Sequence, residues 1–290
     1  MKHLNLFLLA CLMSSAAFSQ TGVSGFMKPA KEGVVSFSSS SESYDKVLLV
    51  PSEIDGVPVF NEVSINSYNL YGEYGLSDRF TISINIPYIQ SEGEATSAIL
   101  AENGFENKRD GLQDLSLNLK YLIKEFNFSG SSLSLMGNLG LETPLSSYEV
   151  DEGLQSILAI GNQSTRVNTV GIATFKLNNG VFATGQLGYS LRSEDVPDAI
   201  LSQLKIGYAA EKFYGDVFIG AQKSTSGVDI LGEGFQGFFP ATEVSYTRIG
   251  VNLFAPIYKD FGASGGFSQI VDGRNIGTAT GFYLGLNYSF

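Results

Sequence analysis

Seven charged residues, Glu73, Arg79, Asp114, Lys120, Glu142, Lys205 and Arg248, fall on one side of segments whose residues alternate in character. In Leu119-Lys120-Tyr121 and Leu204-Lys205-Ile206 the charge sits between two apolar neighbours, so an extended chain turns it to the face opposite them. If such segments close into a wall, these seven share its interior. Charges of both signs there fit two chemistries. They can form a constriction that selects solutes by charge, or they can pair and brace the wall, as buried charges usually do.

Catalytic chemistry has little to draw on. The single cysteine and the single histidine, Cys11 and His3, both fall within residues 1–19. Beyond them the chain has no side chain for a zinc, haem or iron-sulfur centre, for a His-dependent nucleophile or for a disulfide. Paired carboxylates for glycoside chemistry need a defined separation, which spacing in sequence does not supply. No phosphate-cradling glycine loop or calcium-loop spacing occurs. The expectation is no catalytic residue, no cofactor and no metal.

Residues 1–19 read as a secretory signal peptide, with Lys2 at the start, an apolar core over residues 4–12 and Ala17-Phe18-Ser19 as the small-residue cleavage site. Cys11 after Leu8-Leu9-Ala10 loosely mimics a lipoprotein box, but cutting there leaves a very short apolar region, so a plain signal peptide is the preferred reading. Removing Lys2 takes the formal charge from -11 to -12. An acidic chain gains nothing from counterion release at phosphates, which argues against nucleic acid as a partner. No later segment approaches the ~18 consecutive apolar residues of a membrane-spanning helix.

What must position the seven charges is a set of about twelve strands. Residues 80–88 alternate Phe, Ile, Ile, Ile and Tyr against Thr, Ser, Asn and Pro, and residues 115–121 alternate Leu, Leu, Leu and Tyr against Ser, Asn and Lys. Residues 133–141, 181–191, 204–208, 213–221 and 249–257 follow the same rule, whereas those near 34–40, 63–74 and 167–175 are less regular. One apolar face and one small or polar face is what a lipid-facing wall around a wet interior requires. The connections alternate in length: short turns near 75–78, 127–130, 178–180, 212–215 and 259–262 separate longer ones at 41–60, 91–110, 143–165, 193–199, 225–242 and 271–278. Outer-membrane barrels show this asymmetry, with short turns on the periplasmic side. Aromatics gather at the short-turn ends, among them Tyr71, Tyr74, Phe80, Phe126, Phe128, Tyr214, Phe261 and Tyr288, as a candidate interfacial girdle.

The expected fold is therefore all-β, a transmembrane antiparallel up-and-down barrel over residues 33–290, preceded by a periplasmic lead at 20–32. The last strand places Phe282, Leu284, Leu286, Tyr288 and Phe290 on one face. Its pattern Tyr283-x-Gly285-x-x-Tyr288-x-Phe290 resembles the C-terminal signal read by the barrel-assembly machinery of bacterial outer membranes. Outer-membrane lipids and that machinery are the expected partners, together with a small-molecule cargo.

The outer loops carry apolar side chains where water would otherwise be: Ile99 and Leu100, Ile157 and Leu158, and Phe235, Phe238 and Phe239. They can line a greasy mouth for a ligand or pack together as a loop core, since exposed apolar patches need cover. Asn162-Gln163-Ser164 matches an N-glycosylation acceptor, a weak match on a bacterial surface.

The segments LYGEYGLSDRFTISINIPYI (70–89), GLQDLSLNLKY (111–121) and LGLETPL (139–145), and more weakly GQLGYSLRSEDVPD (185–198), resemble the outer-membrane family named after the meta-pathway of phenol degradation. That resemblance implies a transporter of aromatic or other hydrophobic compounds. The expected function is passive passage of small, hydrophobic molecules across the outer membrane. The alternatives are a non-conducting surface-interaction barrel and a general porin.

Overall fold

A computed structural model describes residues 23–290 apart from 58, 194 and 211. The signal-peptide segment lies outside the described residues. Twelve long strands run β1 (Gly33–Tyr44), β2 (Val63–Ser77), β3 (Phe80–Gly93), β4 (Asp114–Phe128), β5 (Ser131–Pro144), β6 (Arg166–Leu177), β7 (Val181–Arg192), β8 (Ala199–Ala210), β9 (Phe213–Ser224), β10 (Ser245–Tyr258), β11 (Phe261–Arg274) and β12 (Thr280–Ser289). Each pairs antiparallel with the next, and β12 pairs with β1 from Val34 opposite Ser289 to Ser43 opposite Thr280. The sheet is thus closed, which leaves no long edge unpaired.

The barrel is inside-out relative to a water-soluble protein. Leu284 is 69% exposed while its neighbour Tyr283 is 3% exposed, and Ile82 and Ile84 face out while Thr81 and Ser83 are buried. Large aliphatic side chains cover the outside, and Ser, Thr, Asn and Gln fill the inside. An apolar surface of that extent is tolerable only against lipid tails. The less regular strands resolve the same way: Val35 and Phe37 of β1 point out over inward Ser36, and Tyr68 and Leu70 of β2 over Ser67 and Asn69.

Turns of two or three residues join the strands at one end, and long loops at the other. The long-loop end carries a helix, Ser97–Asn103, whose N-cap Thr96 accepts from the Ile99 amide. It also carries the strand Lys108–Leu112 paired on the end of β3, and a small sheet formed by Lys46–Leu48, Ile54–Asp55 and Ile276–Gly277. Aromatic pairs ring the short-turn end, with Phe80 against Tyr121 at 4.8 Å and Phe261 against Tyr288 at 5.0 Å. Two expected members of that girdle, Tyr71 and Tyr214, turn inward instead and are buried in an interior cluster with Phe182 and Phe254.

The segment read as a lead is described from Val23 onward. Its described part enters the short-turn end of the barrel, where Val23 packs on Met136, Val170 and Ile172 and Phe26 meets Phe182 edge-on at 5.0 Å. Gly75 of β2 has to be glycine for the lead to pass: a Cβ there would stand 1.9 Å from the Pro29 carbonyl oxygen.

Candidate functional site

The interior is layered along the barrel axis. At the short-turn end the lead's carbonyls need donors, and inward side chains supply them. Gln186 Nε2 donates to Val23 O at 3.1 Å, Thr174 Oγ1 to Gly25 O at 2.6 Å, and Lys120 Nζ to Ser24 O at 2.9 Å and to Phe26 O. Lys120 also stands 3.3 Å from Glu73 Oε1, and both side chains are almost completely buried. This pair is a brace for the lead. Lys205 is buried in the same wall with its Nζ 6.0 Å from the centre of the Phe218 ring.

Above the lead lies a polar chamber of about 390 Å³, lined by Ser67, Asn69, Ser83, Asn85, Asn118 and Asn168 among others. Above that, toward the loops, lies a vestibule of about 480 Å³ whose walls include Val47, Leu49, Val57, Leu154, Ile157, Val196, Phe239, Val244 and Ile270. The two cavities share Glu42, Ile65, Gln113, Ala159, Arg166, Arg192, Gln222 and Tyr246, so they meet at a belt that carries Glu42, Arg166 and Arg192.

Most of that belt is paired. Arg166 reaches Asp114 at 2.6 Å and Glu142 at 3.4 Å, and Arg248 reaches Glu42 at 3.3 Å. Asp114 also accepts from the Tyr148 hydroxyl at 2.6 Å, which ties the loop after β5 to the wall. Burial, and then the Asp114 carboxylate, push the Tyr148 hydroxyl well above its ordinary value, so it stays a donor. Arg192 differs from its neighbours. Its guanidinium donates to Ser190 Oγ at 3.2 Å and Gln222 Oε1 at 2.8 Å, both neutral.

Six of the seven expected interior charges lie inside the barrel: Glu73 and Lys120 at the lead, Lys205 in the wall, and Asp114, Glu142 and Arg248 in the belt. Arg79 does not. It is exposed in the two-residue turn Asp78-Arg79, outside both β2 and β3, where the alternation of a strand no longer sets facing. Sequence reasoning missed Glu42, Arg166 and Arg192, which stand on strands whose alternation is weak or at their ends.

The apolar loop residues divide between the two expected arrangements. Leu100, Ile157 and Leu158 join Phe60, Val57 and Val63 in a loop core, and Ile157 and Phe239 also line the vestibule. Phe235 packs edge-on against Phe239 at 5.2 Å, Phe238 is half-buried, and Ile99 is exposed on its helix. In the last strand Tyr283 is buried and Tyr288 exposed. The aromatic Phe290 stacks on Tyr74 at 6.2 Å and covers Gly33, with which it exchanges backbone hydrogen bonds. Among the described residues no group of three or more His, Cys, Asp or Glu is gathered as a metal site would need.

No family model and no curated protein matches the sequence. Among solved structures, an outer membrane channel from Pseudomonas putida F1 superimposes with a TM-score of 0.71 at 14% identity, covering 91% of this chain and 97% of that one. The KdgM porin follows with a TM-score of 0.51 at 11% identity over 88% of this chain and 99% of its own. At such identities the likeness is one of fold, and the fold is the closed antiparallel β-barrel of outer-membrane proteins.

Proposed function

We propose that the chain is an outer-membrane channel for small, hydrophobic or aromatic molecules, moving them passively and without a cofactor. One observation carries this reading: a vestibule of about 480 Å³, lined by a group of apolar side chains together with Glu42, Arg166, Arg192 and Arg248, sits at the loop end of a closed barrel. A cavity of that size whose apolar side chains, among them Val57, Ile157, Val196 and Phe239, stand beside fixed polar groups suits a small organic ligand with an apolar body. A general porin would instead present a wide, polar mouth. The twelve strands set the lumen between side-chain-filled eight-stranded barrels and open sixteen-stranded porins.

A second reading has its own support. The lead is held inside the barrel by several hydrogen bonds, as a non-conducting barrel with interacting loops would have it. The two readings separate in one experiment: reconstitute the full chain and a variant lacking residues 23–29, and compare flux of a neutral aromatic solute with that of a sugar of similar size. Protein-dependent aromatic flux in the full chain supports the channel. Its absence in both forms refutes it and leaves the interaction barrel.

A further inference from the structure

Three arginines stand at the belt where the apolar vestibule meets the polar chamber, and their partners are shared unequally. Arg166 has two carboxylates, Asp114 and Glu142, and Arg248 has Glu42. The guanidinium of Arg192 donates to Ser190 and Gln222, both neutral, and makes no ion pair with a described carboxylate. Two described acids near it have other partners as well. Asp198 accepts from the Arg192 backbone amide at 2.8 Å and from the Tyr189 hydroxyl at 3.1 Å, and Glu142 is held by Arg166 and Asn168. Among the described belt residues three arginines stand with three carboxylates, and Arg192 is the one whose guanidinium bonds go to neutral groups.

We infer that Arg192 receives the carboxylate of an amphipathic organic acid whose apolar body occupies the vestibule. This rests on the channel reading and narrows its cargo to monocarboxylates with an aromatic or aliphatic body. A guanidinium presents a planar fork that matches a carboxylate, and a charge-assisted bond of this kind strengthens away from bulk water. The body would lie against Leu49, Val57, Ile157, Val196 and Phe239, on the loop side of the same arginine. Neither part suffices alone. The chain as a whole is acidic, with a formal charge of -11, so it does not attract anions in general, and a small anion without a body gains nothing from the vestibule.

The test measures equilibrium binding to the purified full chain in nanodiscs with three probes: 4-ethylbenzoate, the neutral 4-ethylbenzyl alcohol of nearly the same shape, and acetate. The expected result is that the benzoate binds about tenfold more tightly than the alcohol, as a charge-assisted hydrogen bond supplies, and that acetate binds far more weakly than either. In Arg192→Gln the benzoate-to-alcohol ratio should fall to about one, and in Arg192→Lys it should be partly kept. A second measurement needs no variant: lowering the pH through the benzoate's own carboxyl titration should abolish its advantage over the alcohol. Equal binding of benzoate and alcohol in the native chain overturns the carboxylate inference and leaves the apolar channel standing. If neither binds, the channel reading fails with it. A preference that survives in a folded Arg192→Gln chain assigns the anion to another residue and overturns the role of Arg192.

Discussion

Lys120 Nζ lies 3.3 Å from Glu73 Oε1 inside the barrel and spends its other protons on the carbonyls of Ser24 and Phe26. One ammonium thus neutralises a buried carboxylate and fastens the lead to the wall. Removing it should do two things. Lys120→Met leaves Glu73 buried and unpaired, a change that costs about 3–5 kcal/mol in comparable pairs, and it frees the lead. The variant should unfold at lower denaturant and show higher ion conductance in planar bilayers. Replacing both partners, Lys120→Met with Glu73→Gln, should recover part of the stability but keep the raised conductance. Conductance equal to that of the native chain in both variants would show that the lead is held by its other contacts.

Outward and inward positions should respond oppositely to charge. Ile84 faces lipid and its neighbour Asn85 lines the polar chamber. Ile84→Arg should lose about 2–4 kcal/mol if that position lies near the bilayer midplane, and Asn85→Arg should be milder. Unfolding titrations in lipid vesicles report both. Equal losses at the two sites would contradict the inside-out assignment.

The strand facing could be read from residues 80–88 and 115–121 because an unbroken lipid face and a wet face impose strict alternation on them. The same rule failed where a third element intervenes. Met136, Val170 and Ile172 point inward although apolar, because Val23 of the lead packs on them, and the outward places between them hold Gly137, Gly171 and Ala173. That reversal made residues 167–175 look irregular and hid Arg166 at the start of β6. The lead itself is not a strand, so no period marks it. Its run Val23-Ser24-Gly25-Phe26-Met27 is more apolar than a solvated lead needs, and that was the available clue. Arg79 was misplaced because β2 runs on to Ser77, so the turn expected near 75–78 falls at Asp78-Arg79 and takes Arg79 out of the strand.

Asp229 ties the loop between β9 and β10 to the barrel rim. It meets Arg274 at 2.6 and 2.7 Å and Asn275 at 2.9 Å. The hydrogen bond from Arg274 holds its carboxyl below the usual range, with Asn275 adding to the effect. A depressed carboxyl stabilises the docked loop fully above the free value of about 3.9 and loses that contribution as pH falls through the lower docked value. Limited proteolysis should therefore find this loop protected at pH 5 to 7, in rough terms, and cleavable in strong acid. Asp229→Asn should be cleavable with little dependence on pH. Protection unchanged in Asp229→Asn would show that the loop is held by its other contacts.

Phe290 closes the seam between β12 and β1 through backbone bonds to Gly33, at 2.8 and 3.1 Å, and through its stack on Tyr74. Phe290→Asp, or deletion of Tyr288, Ser289 and Phe290, should lower the yield of the folded, heat-modifiable form in membranes. A kinetic assembly signal and a thermodynamic seam differ in vitro: a loss of yield in cells with normal refolding into detergent points to recognition by the assembly machinery. An unchanged yield in cells removes the signal reading.

The vestibule is the feature on which the functional account stands, and Phe239 lines it with Phe235 packed behind. The most direct measurement is uptake of a neutral aromatic solute by the chain reconstituted in vesicles with a lipopolysaccharide outer leaflet, compared with the variant Phe235→Ala, Phe238→Ala, Phe239→Ala. The account predicts that the triple variant folds as the native chain does, takes up the aromatic more slowly, and passes a small hydrophilic sugar at an equal or higher rate. Undiminished aromatic uptake in a folded triple variant would contradict it.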